Sequence, residues 1–159
     1  MGTLVLLWML SHTVPTSAPI VATPIGRALR LLPRQPEKIV LVERADGSHE
    51  HKGKPNVEAF VNNGSRVVYL VRQGVTLQAT LKGPGIFDYA LATVIWHEMA
   101  HIDGADEAGA QQAEEQLWME FVLAQRVDRA RGMQYLALLK KRRSAAANPP
   151  LLDSERVHR

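Results

Sequence analysis

The chain has 159 residues, 46% hydrophobic and 22% charged, the profile of one soluble globular domain rather than of a disordered or repetitive polypeptide. A net charge of +3, much of it carried by the consecutive cations at 140–143, and an aromatic content of 6% do not provide the basic, aromatic-studded surface of a nucleic-acid binder. There is no cysteine, so disulfide frameworks, thiol nucleophiles, Cys-ligated zinc and iron–sulfur clusters are excluded, and any metal must rest on His, Asp or Glu.

The longest apolar run, residues 4–10, is far shorter than the roughly twenty residues of a membrane-spanning helix, and no transmembrane span is expected. Followed by Thr16-Ser17-Ala18, it resembles the apolar region and small-residue cleavage site of a secretory signal peptide, although no Lys or Arg precedes it. Residues 1–24 are therefore read as a signal-peptide-like or flexible segment. As a signal it implies a secreted or periplasmic protein; as an ordinary N-terminal element, a cytoplasmic one.

The domain proper is expected over 25–143. Pro19, Pro24, Pro33 and Pro36 punctuate the lead-in, with a short amphipathic stretch at 25–32. The β-branched residues 39–43 read as a strand, and 47–55 as a polar loop carrying His49 and His51. Two further strand-like runs, 57–61 and 66–72, flank Asn62-Asn63-Gly64-Ser65, whose Asn-Gly pair favours a type I′ hairpin. A small, mostly antiparallel sheet follows from this. After an apolar stretch at 75–81 and the break Gly83-Pro84-Gly85, Asp88 is placed to cap a helix running to about Ile102, with Gly104 as its left-handed stop. A second helix is expected from Asp106 toward Arg131, a third from Met133 to Arg143 after a break at Gly132, and a disordered basic tail over 144–159.

The helix ending near Ile102 carries His97-Glu98-Met99-Ala100-His101, an HExxH motif. Four residues is just over one helical turn, so His97 and His101 project side by side and can place two imidazole nitrogens on one ion. Glu98 lies one step round, where it can reach a metal-bound water without ligating the metal, as a general base must. With six His and ten Glu in the chain, such a motif arises by chance about once in a hundred sequences of this composition.

The segment from Val94 to Ile102, with uncharged residues between the motif positions, resembles the extended signature of the zincin metallopeptidases; Asp103 departs from it. The resemblance implies an α+β fold in which a small sheet packs on the HExxH helix and further helices follow, with an edge strand that pairs with extended substrate, for which 67–71 is the candidate. It also implies a Zn2+ cofactor and a peptide or protein substrate. Hydrolytic zinc takes a third protein ligand and keeps one position open. The spacing His101-x-x-Gly104-x-x-Glu107 is similar to the metzincin pattern, but Glu107 occupies the slot where metzincins carry a histidine. A glutamate third ligand is a gluzincin feature. Glu107 is the leading candidate; Asp106 competes but reads better as a helix cap; Glu114 and Glu115 are the alternatives further along.

The resulting expectation is a small zinc-dependent metallopeptidase with His97, His101 and Glu107 as ligands and Glu98 as general base. Tyr69, Tyr89, Tyr135, His49 and His51 are possible oxyanion donors. The competing expectations are a non-catalytic metal-binding or protein-interaction domain on the same frame, and a helical interaction module with a coincidental motif. Two His and a carboxylate also suit Fe(II).

Overall fold

The computed structural model describes residues 23–43 and 57–147. The signal-like segment, the loop bearing His49 and His51, and residues 148–159 lie outside the described residues. The described elements are α1 (Pro24–Leu29), β1 (Lys38–Val42), β2 (Ala59–Val61), β3 (Val67–Val71), α2 (Val75–Thr80), α3 (Ile86–Ile102), α4 (Glu107–Leu123) and α5 (Arg129–Ala147). The class is α+β, as expected. No helix among the described residues is long and apolar enough to cross a membrane.

The sheet is mixed and not mostly antiparallel. Its order is β1-β3-β2. The hairpin pairs β2 with β3 antiparallel, Phe60 opposite Tyr69, and the two rings stack with centroids 5.0 Å apart. The longer pairing, Lys38 opposite Val67 through Val42 opposite Val71, is parallel. β3 is thus the central strand, with Val68 and Leu70 fully buried, and not the edge. Local alternation shows that a segment can pair but carries no information about which neighbour it takes or in which direction, so this placement had to come from the tertiary fold. The hairpin turn also differs from type I′. Only Gly64 takes positive φ (74°), and Asn62 O accepts from Ser65 N at 2.9 Å, the type II pattern within a five-residue connection.

The apolar stretch after β3 forms a helix, α2. Its first turn is tied down from β2's entry: the Glu58 carboxylate accepts from Thr76 N at 3.1 Å. α3 begins at Ile86, two residues before its expected start. Asp88 does not precede the helix but sits in its first turn, and its carboxylate reaches back to Gly85 N at 3.0 Å. Arg27 of α1 grips the same carboxylate at 3.0 and 3.1 Å and donates to Thr80 O at 2.9 Å, joining α1, α2 and α3. α3 is apolar on most of its circumference, with Leu91, Ala92, Ile95 and Met99 at most 1% exposed, and helices of that kind are buried. It is surrounded by α1, α2, α4 and the sheet. Leu117, Trp118 and Phe121 of α4 complete the cluster.

Gly132 does not break the C-terminal helices. α4 stops at Leu123, the chain turns through 124–128 with Gln125 at φ 55°, and Gly132 lies inside α5. Its role is close approach. A Cβ there would come within 2.5 Å of Val122 Cγ2, and Trp118 Nε1 donates to Gly132 O at 2.9 Å. α5 continues to Ala147, so residues 144–147 belong to a helix and not to the tail.

Candidate metal centre

Five residues connect the HExxH motif to its third acidic candidate, and each has a defined job. α3 ends at Ile102, and Asp103, the departure from the zincin signature, turns outward to pair with Arg34. Gly104 takes φ 92°, a conformation costly for any side chain with a Cβ, and the chain reverses. Ala105 N bonds back to Ala100 O at 2.9 Å, which leaves Ala105 O aimed at His101 Nδ1, also 2.9 Å away. Asp106 then caps α4, accepting from Gly109 N at 2.8 Å, and is occupied as a cap, not as a ligand. Glu107, the first residue of α4, is delivered over the two histidines.

Here three atoms converge. His97 Nε2 and His101 Nε2 are 3.2 Å apart, and the Glu107 carboxylate lies 3.9 Å from the first and 3.5 Å from the second. For ligand bonds of about 2.0–2.1 Å, tetrahedral geometry puts neighbouring donor atoms roughly 3.3–3.4 Å apart; the two nitrogens meet this spacing, and the carboxylate, approached through Oε1 by His97 and through Oε2 by His101, lies close to it. His97, His101 and Glu107 form a group able to hold a metal.

The opposite ring nitrogens determine what the two Nε2 atoms offer. A carbonyl oxygen only accepts, so His101 Nδ1 carries the proton it shares with Ala105 O. His97 Nδ1 faces Glu114 Oε2 at 3.2 Å and likewise donates. In the neutral rings both Nε2 atoms are therefore bare lone pairs directed at each other. Such an arrangement calls for a positive charge between them. Burial of His97 opposes protonation, but the hydrogen bond and charge of Glu114, with the charges of Glu98 and Glu107, outweigh it and raise the pKa above the usual 6.5.

Glu98 is 8% exposed, and burial is the main reason its pKa rises from 4.5 to about 7; the two histidines work against the rise, and Glu107 and Glu114 add to it. With His97, His101 and Glu107 it lines an open cleft of about 700 Å³. The facing wall is the hairpin turn from Asn62 to Arg66 together with Val61, so the strand bordering the cleft is β2 and not β3.

Glu114 and Glu115 do not join the triangle. Glu114 is buried behind His97, on the nitrogen that points away from the other donors, and is bound by Arg143; Glu115 pairs with Arg143 and Lys140. The tyrosines lie elsewhere: Tyr69 on Phe60, Tyr89 against Phe121 and Tyr135 against Trp118, none lining the cleft. Sequence reasoning missed Gln111, whose amide donates to Glu107 Oε1 at 2.7 Å, and the orienting role of Glu114. Their signal was the spacing 107, 111, 114, which puts all three on one helical face. Compared with known proteins, the chain matches no family model, and no curated protein or solved structure matches it.

Proposed function

We propose that this chain is a zinc-dependent metallopeptidase, with His97, His101 and Glu107 holding the metal and Glu98 acting as general base on a peptide or protein substrate in the cleft. The observation that carries this reading is the approach of His97 Nε2 and His101 Nε2 to 3.2 Å beside the Glu107 carboxylate, on a motif that resembles the zincin signature. When bound, zinc supplies Lewis acidity, bringing the pKa of a coordinated water toward about 7.

The chain's own residues account for the remaining steps. Ala105 O and Glu114 hold the rings in the tautomer that presents Nε2, and Gln111 restrains the otherwise exposed Glu107. Glu98, with a pKa near 7, already exchanges its proton at neutral pH, and a dication beside it favours the carboxylate. It takes the proton of the attacking water and returns it to the departing amine. The cleft between the hairpin turn and the α3–α4 junction is open, as entry of an extended chain requires.

Metal analysis of the purified protein, followed by hydrolysis of an unfolded protein substrate, tests the proposal. Wild-type protein is expected to hold one zinc, and Glu98→Gln to keep it while losing about 10²–10⁴-fold in rate. Protein that takes up no zinc, or undiminished hydrolysis by the variant, overturns the reading.

A further inference from the structure

Behind the metal centre, a run of charged groups links α5 to His97. Arg143 Nη2 lies 2.5 Å from Glu114 Oε2, and that same oxygen accepts from His97 Nδ1. The other arm of the guanidinium, Nη1, reaches Glu115 Oε1 at 2.6 Å, while Lys140 holds the second oxygen of Glu115 at 3.1 Å. One planar fork thus spans two adjacent carboxylates of α4. Arg143 and Glu114 are only 20% and 8% exposed, which separates this bridge from the exposed pairs elsewhere on the surface.

We infer that Arg143 is a positioning residue of the metal centre: by anchoring the Glu114 carboxylate it holds His97 in the orientation and tautomer that present Nε2 to the ion. The inference deepens the proposed function and rests on it for the identity of the ion. Its physical basis is the cost of a buried carboxylate. The Glu114 carboxylate is nearly buried and shared between the Arg143 guanidinium and His97 Nδ1, and without the guanidinium it can swing toward solvent. His97 then loses its partner, and its ring can rotate or shift its proton to Nε2, where an N–H cannot ligate. Glu115 and Lys140 steady the outer arm and touch neither histidine.

Two readouts test this on the full chain. Multiple-bond nitrogen NMR of the metal-free protein reports which ring nitrogen of His97 carries the proton, and chelator competition reports zinc affinity. At a pH high enough for the His97 ring to be neutral, wild type is expected to show the Nδ1–H form. Arg143→Ala is expected to move His97 toward a mixture of tautomers and to weaken zinc binding about 10- to 100-fold, the range found for outer-shell partners. In a Glu114→Gln background the same substitution should add no further loss, because the two act in series. Arg143→Lys keeps the charge without the fork and should lose several-fold, whereas Glu115→Gln should leave affinity within about twofold.

Wild-type affinity and tautomer in Arg143→Ala, or losses that add to those of Glu114→Gln, overturn the inference. Should Arg143→Ala fail to fold, equal losses in Arg143→Lys and Glu115→Gln, or none in either, do the same. Wild-type protein that binds no zinc removes the proposed function, while the tautomer measurement still decides whether Arg143 positions His97.

Discussion

The two ends of α3 both bury acidic groups and treat them differently. At the N-terminal end, Asp88 meets donors from every side: the Arg27 guanidinium and the Gly85 backbone, with Arg27 itself tied to Thr80 O. At the C-terminal end, Glu98 is equally buried, yet its neighbours are two histidines and two further carboxylates, and its pKa climbs to about 7. The first arrangement neutralises its charge and holds three helices together. The second gathers His97, His101 and Glu107 around one point of a cleft, with Glu98 buried beside them and no Lys or Arg side chain among the described residues to answer it. A helix can thus carry a structural and a functional polar cluster barely three turns apart, and the completeness of the partners distinguishes them.

Substitutions at each end should sharpen that contrast. The largest expected effect is on metal binding: His101→Ala removes a donor and should weaken zinc binding at least about 10²-fold in chelator competition, leaving the fold intact by circular dichroism. Next comes Arg27→Ala, which strands Asp88. Urea unfolding should show a loss of about 3 kcal/mol, with zinc affinity of the folded protein unchanged. Breaking both properties with either variant would erase the distinction between the ends.

Glu98→Gln probes the C-terminal end through pH. The unfolded chain releases the Glu98 proton near 4.5, the folded chain near 7, so over that window the unfolded state binds fewer protons and wild-type stability falls as pH rises. Gln has no such slope. Metal-free Glu98→Gln should therefore match wild type near pH 4 and exceed it by the order of 1–3 kcal/mol at pH 8, as read by thermal or urea unfolding. The smallest effect is expected at Gln111→Ala, where losing one exposed hydrogen bond to Glu107 should cost about 0.5–1 kcal/mol of zinc affinity, a few-fold by the same competition assay.

Much of the candidate site was legible because its signals are local. The pairing of His97 with His101 follows from helical pitch, the stop at Gly104 from its tolerance of positive φ, and the cap at Asp106 from its side-chain oxygen. Errors gathered where a residue's meaning depends on something distant. Asp88 does cap α3, but from within its first turn, and its second task could not be read locally because its other partner, Arg27, lies 61 positions away. Gly132 looked like a helix break because the close approach of Val122 cannot be seen along the chain. Glu114 looked like an alternative ligand, although burial behind His97 gives it a different task.

From its residues alone, any metal site was constrained to His and carboxylate ligands, with His97, Glu98 and His101 set within little more than one turn of helix. The chain's own order also placed Glu107 at the start of the next helix, because a glycine reversal of four residues leaves little freedom. Which strand lies at the centre of the sheet, which wall closes the cleft, and which carboxylate holds the back of His97 were decided by packing between elements far apart in sequence. Helical pitch and turn chemistry act over a few residues and can be read in order, whereas burial and charge compensation depend on what the folded chain brings alongside.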